Sequence, residues 1–487
     1  MSRKTREPQN PSRRRFLGSL AAASGAALLP GCGKGGGNGA DAGFTPGALP
    51  VLPKPEDSGI DHIVVVMMEN RSFDHMLGWV PGADGKQAGL KFLDKDLHPR
   101  DSFRLSQDAA YGFQGCGWAD PDHSYAGGRI QYNNGALDGW LLTPGTSATP
   151  DDLFPIGYYT DEDLPFYKGI VPNFTTLDRY HCSILSQTFP NRFYMHAGQT
   201  DRNDNALTFS TLPTIWDRLA DKGRSGMFFF SDVPFIGLWR DKYMDITSQL
   251  SAFHLMAQGG QLPDVSYIDP NFGGSVGESP TGVSQDDHPQ ADVRNGQNFL
   301  NQIYDSVRTS PQWDRTLLII NYDEWGGFYD HVLPPKAPVT PEEFALFQND
   351  GRLGFRVPCI LIGPRARKGY VDHNLFDHNS VLNFICWRFG LDTLAARGQS
   401  SLNLAYALDF AGPARTDAAP VLDVPSGPGL PSGAFGTPGL FGAPCTTLPS
   451  GVPSPAASAK SAGFDQHQAE WRALYEITKK LGFPVPR

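Results

Sequence analysis

Two stretches of this chain leave little choice of architecture. Ile63-Val64-Val65-Val66-Met67-Met68 and Leu317-Leu318-Ile319-Ile320-Asn321-Tyr322 are nearly unbroken apolar runs rich in β-branched residues. A strand with one wet face alternates apolar and polar side chains. A run that is apolar on both faces reads instead as a strand covered above and below, the situation of a parallel sheet. Met227 to Phe230, Val265 to Ile268 and Val357 to Ile362 read the same way. Helical patterns lie between or after them, from Pro213 to Lys222, Val293 to Ser310 and Ser380 to Gly390. Strands alternating with helices predict an α/β fold built on a doubly wound, mostly parallel sheet.

The same two runs end in chemistry. The first passes directly into Glu69-Asn70-Arg71-Ser72-Phe73-Asp74, the second into Asp323-Glu324-Trp325-Gly326-Gly327. Open α/β sheets bind ligands beyond the carboxyl ends of their strands. Carboxylate and amide oxygens there suit a divalent ion that prefers oxygen. One such pair alone would read as a helix cap; two at the ends of two apolar strands predict a shared site.

Seven of the twelve histidines directly follow an aspartate: His62, His75, His123, His288, His331, His373 and His378. Those at 123, 288, 331 and 378 fall in loop-like contexts or at a helix start, where an imidazole can hold phosphate oxygens, pass a proton or bind metal. In Ser186-Gln187-Thr188-Phe189-Pro190-Asn191-Arg192, Pro and Asn break a strand-like run from His181 to Leu185. That places the Thr188 hydroxyl at a strand-to-helix turn, as a nucleophile or as a simple cap.

Four blocks follow one another in order: Glu69 to His75, Thr188 to Arg192, Asp286-Asp287-His288-Pro289, and Asp323-Glu324 with Gly326-Gly327-Phe328-Tyr329-Asp330-His331. The set resembles the bacterial phosphatidylcholine-type phospholipase C and acid phosphatase family, a branch of the alkaline phosphatase superfamily. The likeness runs from about Asp61 to Leu391. It implies an alkaline-phosphatase-like fold and a divalent metal ion held by Glu69, Asn70, Asp323 and Glu324. Thr188 is implied as a further metal contact and as the nucleophile. His123 and His288 are implied in phosphate binding or proton transfer, with His331 and His378 near the site. The implied reaction is in-line attack on phosphorus and hydrolysis of a phospho-enzyme. The substrate is a phospholipid for a phospholipase C, or a small phosphate ester for an acid phosphatase. A third reading, a lipid-anchored binding protein without activity, is opposed by the intact Glu69, Thr188, Asp323 and Glu324.

Two positions depart from the family pattern. Trp325 stands where a His is usual after the Asp-Glu pair, and Gln187 stands where Pro is commoner; both bear on the substrate pocket. Phe228, Phe229, Phe230, Phe235 and Trp239 are open to two readings, an apolar rim that admits a lipid or plain core.

Charge and the N-terminus bear on where the protein works. The formal charge is −10, and residues 1 to 31 carry six Lys or Arg against one Glu, so the remainder stands at −15. An acidic protein of this kind is a poor match to nucleic acid. Ser12-Arg13-Arg14-Arg15-Phe16-Leu17 leads into an apolar segment that ends at Leu29. This reads as a twin-arginine signal peptide over residues 1–31, too short to span a membrane. The expectation is export by the twin-arginine machinery to the periplasm, the outer membrane or the medium. Leu29-Pro30-Gly31-Cys32 resembles a lipoprotein processing site and leaves two outcomes open, a lipid anchor at Cys32 or cleavage and release.

Residues 32–58 read as a Gly/Pro-rich linker, 59–410 as the catalytic domain, and 411–487 as a Pro/Gly/Ser-rich extension with a final helix from about Asp465 to Leu481 that docks back. None of the six cysteines has metal-ligand spacing. Cys182, Cys359 and Cys386 read as buried thiols, and Cys116 and Cys445 as free to bridge in an oxidising compartment.

Overall fold

In the computed structural model, residues 49–486 are described apart from 110, 116–117, 144–151, 274–283, 290, 428–440 and 442–461. The expected signal peptide, Cys32 and the Cys116–Cys445 bridge lie outside the described residues. The sheet strands are β1 (His62–Met68), β2 (Thr175–Leu177), β3 (Gly226–Phe230), β4 (Thr247–Gln249), β5 (Val265–Asp269), β6 (Thr316–Tyr322), β7 (Cys359–Ile362) and β8 (Tyr370–Asp372). Among the described residues they form one eight-stranded sheet in the order β8-β2-β7-β6-β1-β5-β3-β4. β6, β1, β5, β3 and β4 pair in parallel, as do β8 and β2, so the fold is α/β with a mostly parallel sheet, as the apolar runs imply.

β7 departs from expectation. It was expected to lie parallel to its neighbours, but it is antiparallel to both β6 and β2. The chain leaves β6 at the carboxyl edge, builds the site loops there, and re-enters the sheet from that same edge. A fully buried strand is apolar whichever way it runs, so its sequence carries no direction. The strand-like run from His181 also proves shorter: only Tyr180–His181 pairs, with Phe376–Asp377.

The helices that matter for the site are α1 (Phe73–Leu77), α2 (Tyr125–Tyr132), α3 (Thr188–Ala197), α4 (Ile215–Asp221), α5 (Val293–Arg308), α6 (His378–Phe389) and α7 (Ala462–Leu481). Capping boxes start α4, from Thr214 with Asp217, and α6, from Asp377 with Ser380. α5 buries Phe299, Leu300, Ile303, Tyr304 and Val307, an apolar stripe at helical spacing. α7 buries Trp471, Leu474, Tyr475 and Thr478, with Trp471 stacked on Phe272 at 3.7 Å between ring centroids.

Ile63 to Met68 are buried along β1, and each large apolar side chain removed from water there contributes roughly 1.5–3 kcal/mol. Phe228, Phe229, Phe230, Phe235 and Trp239 are all buried in the core. They are not a rim. Cys182, Cys359 and Cys386 are buried free thiols.

Candidate active site

Strand register builds the site. Met68 pairs with Tyr322, so Glu69 and Asp323 leave adjoining strands side by side. The backbone N–H of Asp323 donates to the Met68 carbonyl at 3.1 Å, and that of Arg71 to the Glu324 carbonyl at 3.1 Å. On the other flank Val66 pairs with Ile268, which brings Asp269 to the same edge. Asn70 takes the turn in the left-handed region, φ 58°, which asparagine tolerates better than most residues. Its N–H donates to Asp323 Oδ1 at 3.1 Å.

Thr188 is the first residue of α3 and is fully buried. Its hydroxyl donates to Asn70 Oδ1 at 3.4 Å. The motif around it explains its own shape. Pro190 lies in the first turn, where a missing N–H costs nothing. Asn191 clamps the preceding turn: its Oδ1 accepts from Ile184 N at 3.0 Å, while Nδ2 donates to the carbonyls of Ile184, Ser186 and Gln187. Arg192, one helical turn from Thr188, reaches Asp269 Oδ1 at 2.8 Å, Asp323 Oδ2 at 3.2 Å and Glu69 Oε1 at 3.4 Å. Its guanidinium carbon lies 4.8 Å from the centre of the Phe272 ring.

Two imidazoles close the other side. His123 Nδ1 donates to the Pro121 carbonyl at 2.8 Å. That turns Nε2 toward Asn70 Nδ2 at 3.4 Å and Glu324 Oε1 at 3.8 Å. His288 Nδ1 donates to its neighbour Pro289 at 2.6 Å and presents Nε2 to Asp120 Oδ2 at 3.6 Å. The two rings lie 6.0 Å apart. The Glu69 N–H donates to the Asp286 carbonyl at 2.8 Å, tying the His288 loop to β1.

Burial dominates the electrostatics. It raises the Glu69 and Glu324 carboxyls well above their usual range, and Asp323 with them, although Arg192 opposes the rise at Glu69 and Asp323. Burial lifts Asp120 to about 7. It would lower His123, but the Glu324 and Asp120 carboxylates outweigh it and hold His123 at about 9. The His123–Glu324 pair therefore keeps a proton through neutral pH.

Glu69, Asn70, Thr188, Asp323, Glu324, His123 and His288 thus converge. His331 and His378 do not join them. His331 sits in a separate ion network, with Nδ1 at 2.5 Å from Asp74 and Nε2 at 3.0 Å from Asp84, beside Arg356 and Asp330. His378 donates from Nε2 to the Tyr322 carbonyl at 3.0 Å and braces the end of β6 from behind; burial pushes it down to about 3, so it is neutral. Trp325 is buried, its indole N–H donating to Gln131 Oε1 at 2.8 Å, and so ties the loop after β6 to α2.

Arg192, Asp269 and Asp120 are site residues that the sequence reading did not assign. Asp269 ends an apolar strand as Glu69 and Asp323 nearly do, and Arg192 lies four residues beyond Thr188, on the same helix face; both signals were present. Among the described residues, the groups whose ligand atoms lie within 4.8 Å of one another are Asp120 with His123 and His288, and Asp74 with Asp330 and His331. The chain therefore carries candidate metal-binding groups, and the first includes His123, which faces Glu324.

Buried carboxylates, imidazoles and a helix-start hydroxyl gathered beyond the strand ends of a mostly parallel sheet are where such a fold places its chemistry. The Phosphoesterase family model matches residues 60–392. The chain belongs to that family and is a hydrolase acting on phosphoric ester bonds. It is 31% identical over 447 residues to Phospholipase C A of Mycobacterium tuberculosis, covering 78% of this chain and 81% of that one. It is 32% identical over 362 residues to Non-specific phospholipase C1 of Arabidopsis thaliana, covering 66% and 65%. Among solved structures, a phosphonate monoester hydrolase of Agrobacterium radiobacter overlaps at a TM-score of 0.33 with 10% identity, over 72% of this chain and 77% of that one.

Proposed function

We propose that this protein is an exported, metal-dependent phospholipase C that cleaves phosphatidylcholine-like phospholipids, with Thr188 as the nucleophile. The observation that carries the reading is the Thr188 hydroxyl, buried at the start of α3 and 3.4 Å from Asn70 Oδ1, at the edge where β1 and β6 deliver their carboxylates. Relatives named as phospholipases C support the substrate class.

The residues present fit an oxygen-preferring divalent ion. Glu69 and Asp323 both reach Arg192, Glu324 faces His123, and among the described residues Glu324 Oε1 is buried without a hydrogen bond. Glu69, Asn70, Asp323 and Glu324 would hold the ion, with Thr188 as a further contact. When bound, such an ion supplies positive charge that makes a hydroxyl easier to deprotonate and offsets charge on phosphate oxygens.

The chain's own groups do the rest. Thr188 gives up its proton and attacks phosphorus as the bond to the departing alcohol oxygen breaks, carries the phosphoryl group with its headgroup, and is freed when water attacks the same phosphorus. Arg192 holds the Glu69 and Asp323 carboxylates in place, and the N-terminus of α3 favours negative charge beside Thr188. His123, proton-bearing and facing Asn70, is placed to hold a phosphate oxygen or to protonate the departing oxygen, with His288 beside it.

A phosphomonoesterase is the second reading. The burial of Phe228, Phe229, Phe230, Phe235 and Trp239 favours it, because the sequence's aromatic candidates for a lipid-admitting rim are core. A substrate panel with metal analysis decides: phosphatidylcholine, sphingomyelin, a phosphorylcholine ester and simple monoesters. The first reading predicts diacylglycerol release from phosphatidylcholine and bound divalent metal. Turnover of monoesters alone would establish the second.

A further inference from the structure

The departure at Gln187 has a structural partner. Gln187 precedes α3 but makes no side-chain cap to it. Asn205, on the segment beyond the helix, does that work: the Phe189 N–H donates to Asn205 Oδ1 at 2.8 Å. Gln187 Oε1 accepts from the Asn205 N–H at 3.3 Å and so holds the Asn205 backbone beside the helix start. Because Phe189 needs an acceptor, the Asn205 amide has one orientation, with Nδ2 outward. That Nδ2 donates to Glu470 Oε2 of α7 at 2.8 Å. The adjacent Trp471 lies 5.5 Å from the Phe189 ring and 5.8 Å from the Arg192 guanidinium.

We infer that Gln187, Asn205 and Glu470 form a latch that fixes the first turn of α3, and that the C-terminal helix is thereby a working part of the active site. The three are positioning residues, and the inference rests on the reading of Thr188 as nucleophile. An amide that donates to a carboxylate makes a stronger hydrogen bond than a neutral pair. Without Glu470, one of the two bonds that hold the Asn205 side chain is gone, and its grip on the Phe189 N–H loosens. The turn that carries Thr188 then shifts. A displacement of about 1 Å, set off far from the chemistry, can cost roughly a hundredfold in rate.

The test uses the full chain, p-nitrophenyl phosphate and p-nitrophenylphosphorylcholine as substrates, and thermal melts alongside. Glu470→Ala lowers kcat roughly tenfold and leaves KM within about twofold. Glu470→Gln keeps an oxygen acceptor and restores kcat to within about threefold of wild type. Asn205→Ala combined with Glu470→Ala is no slower than Asn205→Ala alone, because both act through one bond. Should alanine unsettle α7, Glu470→Leu keeps the packing and removes the acceptor, with the same expectation. The latch is overturned if Glu470→Ala leaves kcat unchanged, if Glu470→Gln is as slow as Glu470→Ala, if the losses multiply in the double variant, or if the loss falls on KM alone. An active Thr188→Val would refute the nucleophile; an inactive Thr188→Val with unaffected Glu470 variants would refute the latch alone.

Discussion

His123 and His196 are both buried, yet they titrate in opposite directions. Two carboxylates hold His123 up. His196 lies among Trp216, Phe235, Trp239 and Tyr267, and Trp216 Nε1 donates to its Nδ1 at 3.2 Å, which requires a neutral ring. Burial takes His196 from 6.5 to about 3. The folded state therefore refuses a proton that the unfolded chain accepts, so this contribution to stability is lost as pH falls from about 6.5 toward about 3. Relative to His196→Gln, wild type loses about 1.4 kcal/mol per pH unit across that window. Denaturant titrations of both proteins at several pH values check this; parallel stability curves would contradict it. At this scale the sequence was informative where a motif had neighbours. The residues after β1 and β6, and Thr188 at a turn, were legible from pattern. His331 and His378 were not separable from His123 and His288, because an Asp-His pair looks the same in an ion network, behind a strand or in a pocket.

Among the elements, the loop after β6 has a tight requirement. Gly326 has φ 64°, and a Cβ there would stand 2.0 Å from the Asn70 carbonyl oxygen. Its N–H also donates to Glu324 Oε2 at 2.7 Å. Gly326→Ala must therefore push the loop off the Asn70 turn and carry Glu324 with it. The expected result is a loss of about 2–4 kcal/mol in stability and at least a tenfold fall in kcat. A variant that folds and turns over like wild type would show that the two strand ends are not interlocked. Apolar runs made β1, β3, β5 and β6 visible, since strands this deeply buried leave a signal on both faces. They could not reveal the direction of β7, which is set by where the preceding loop leaves the chain. Nor could they reveal β2, β4 and β8, three-residue strands whose pairing is decided by neighbours distant in sequence.

At the scale of the whole molecule, a sheet with β1 between β6 and β5 gathers the site at one edge, and the last helix returns to brace it. That return was expected from helical pattern alone, though its contact with the α3 turn was not, because a single hydrogen bond across 265 residues leaves no trace in composition. The export proposal also belongs here. The Arg13-Arg14 pair motivates it, and changing both to Lys should leave the precursor in the cytoplasm, as fractionation and blotting would show. Normal delivery of that variant would refute twin-arginine routing. The central claim is that Thr188 attacks phosphorus, and its most direct test is single-turnover hydrolysis with acid trapping and peptide mapping of the phosphorylated residue. The account predicts phosphate on Thr188, and Thr188→Val, which keeps the shape and removes the oxygen, slower by roughly 10⁴-fold or more. Phosphate mapped to another residue, or a Thr188→Val variant within about tenfold of wild type, would contradict it.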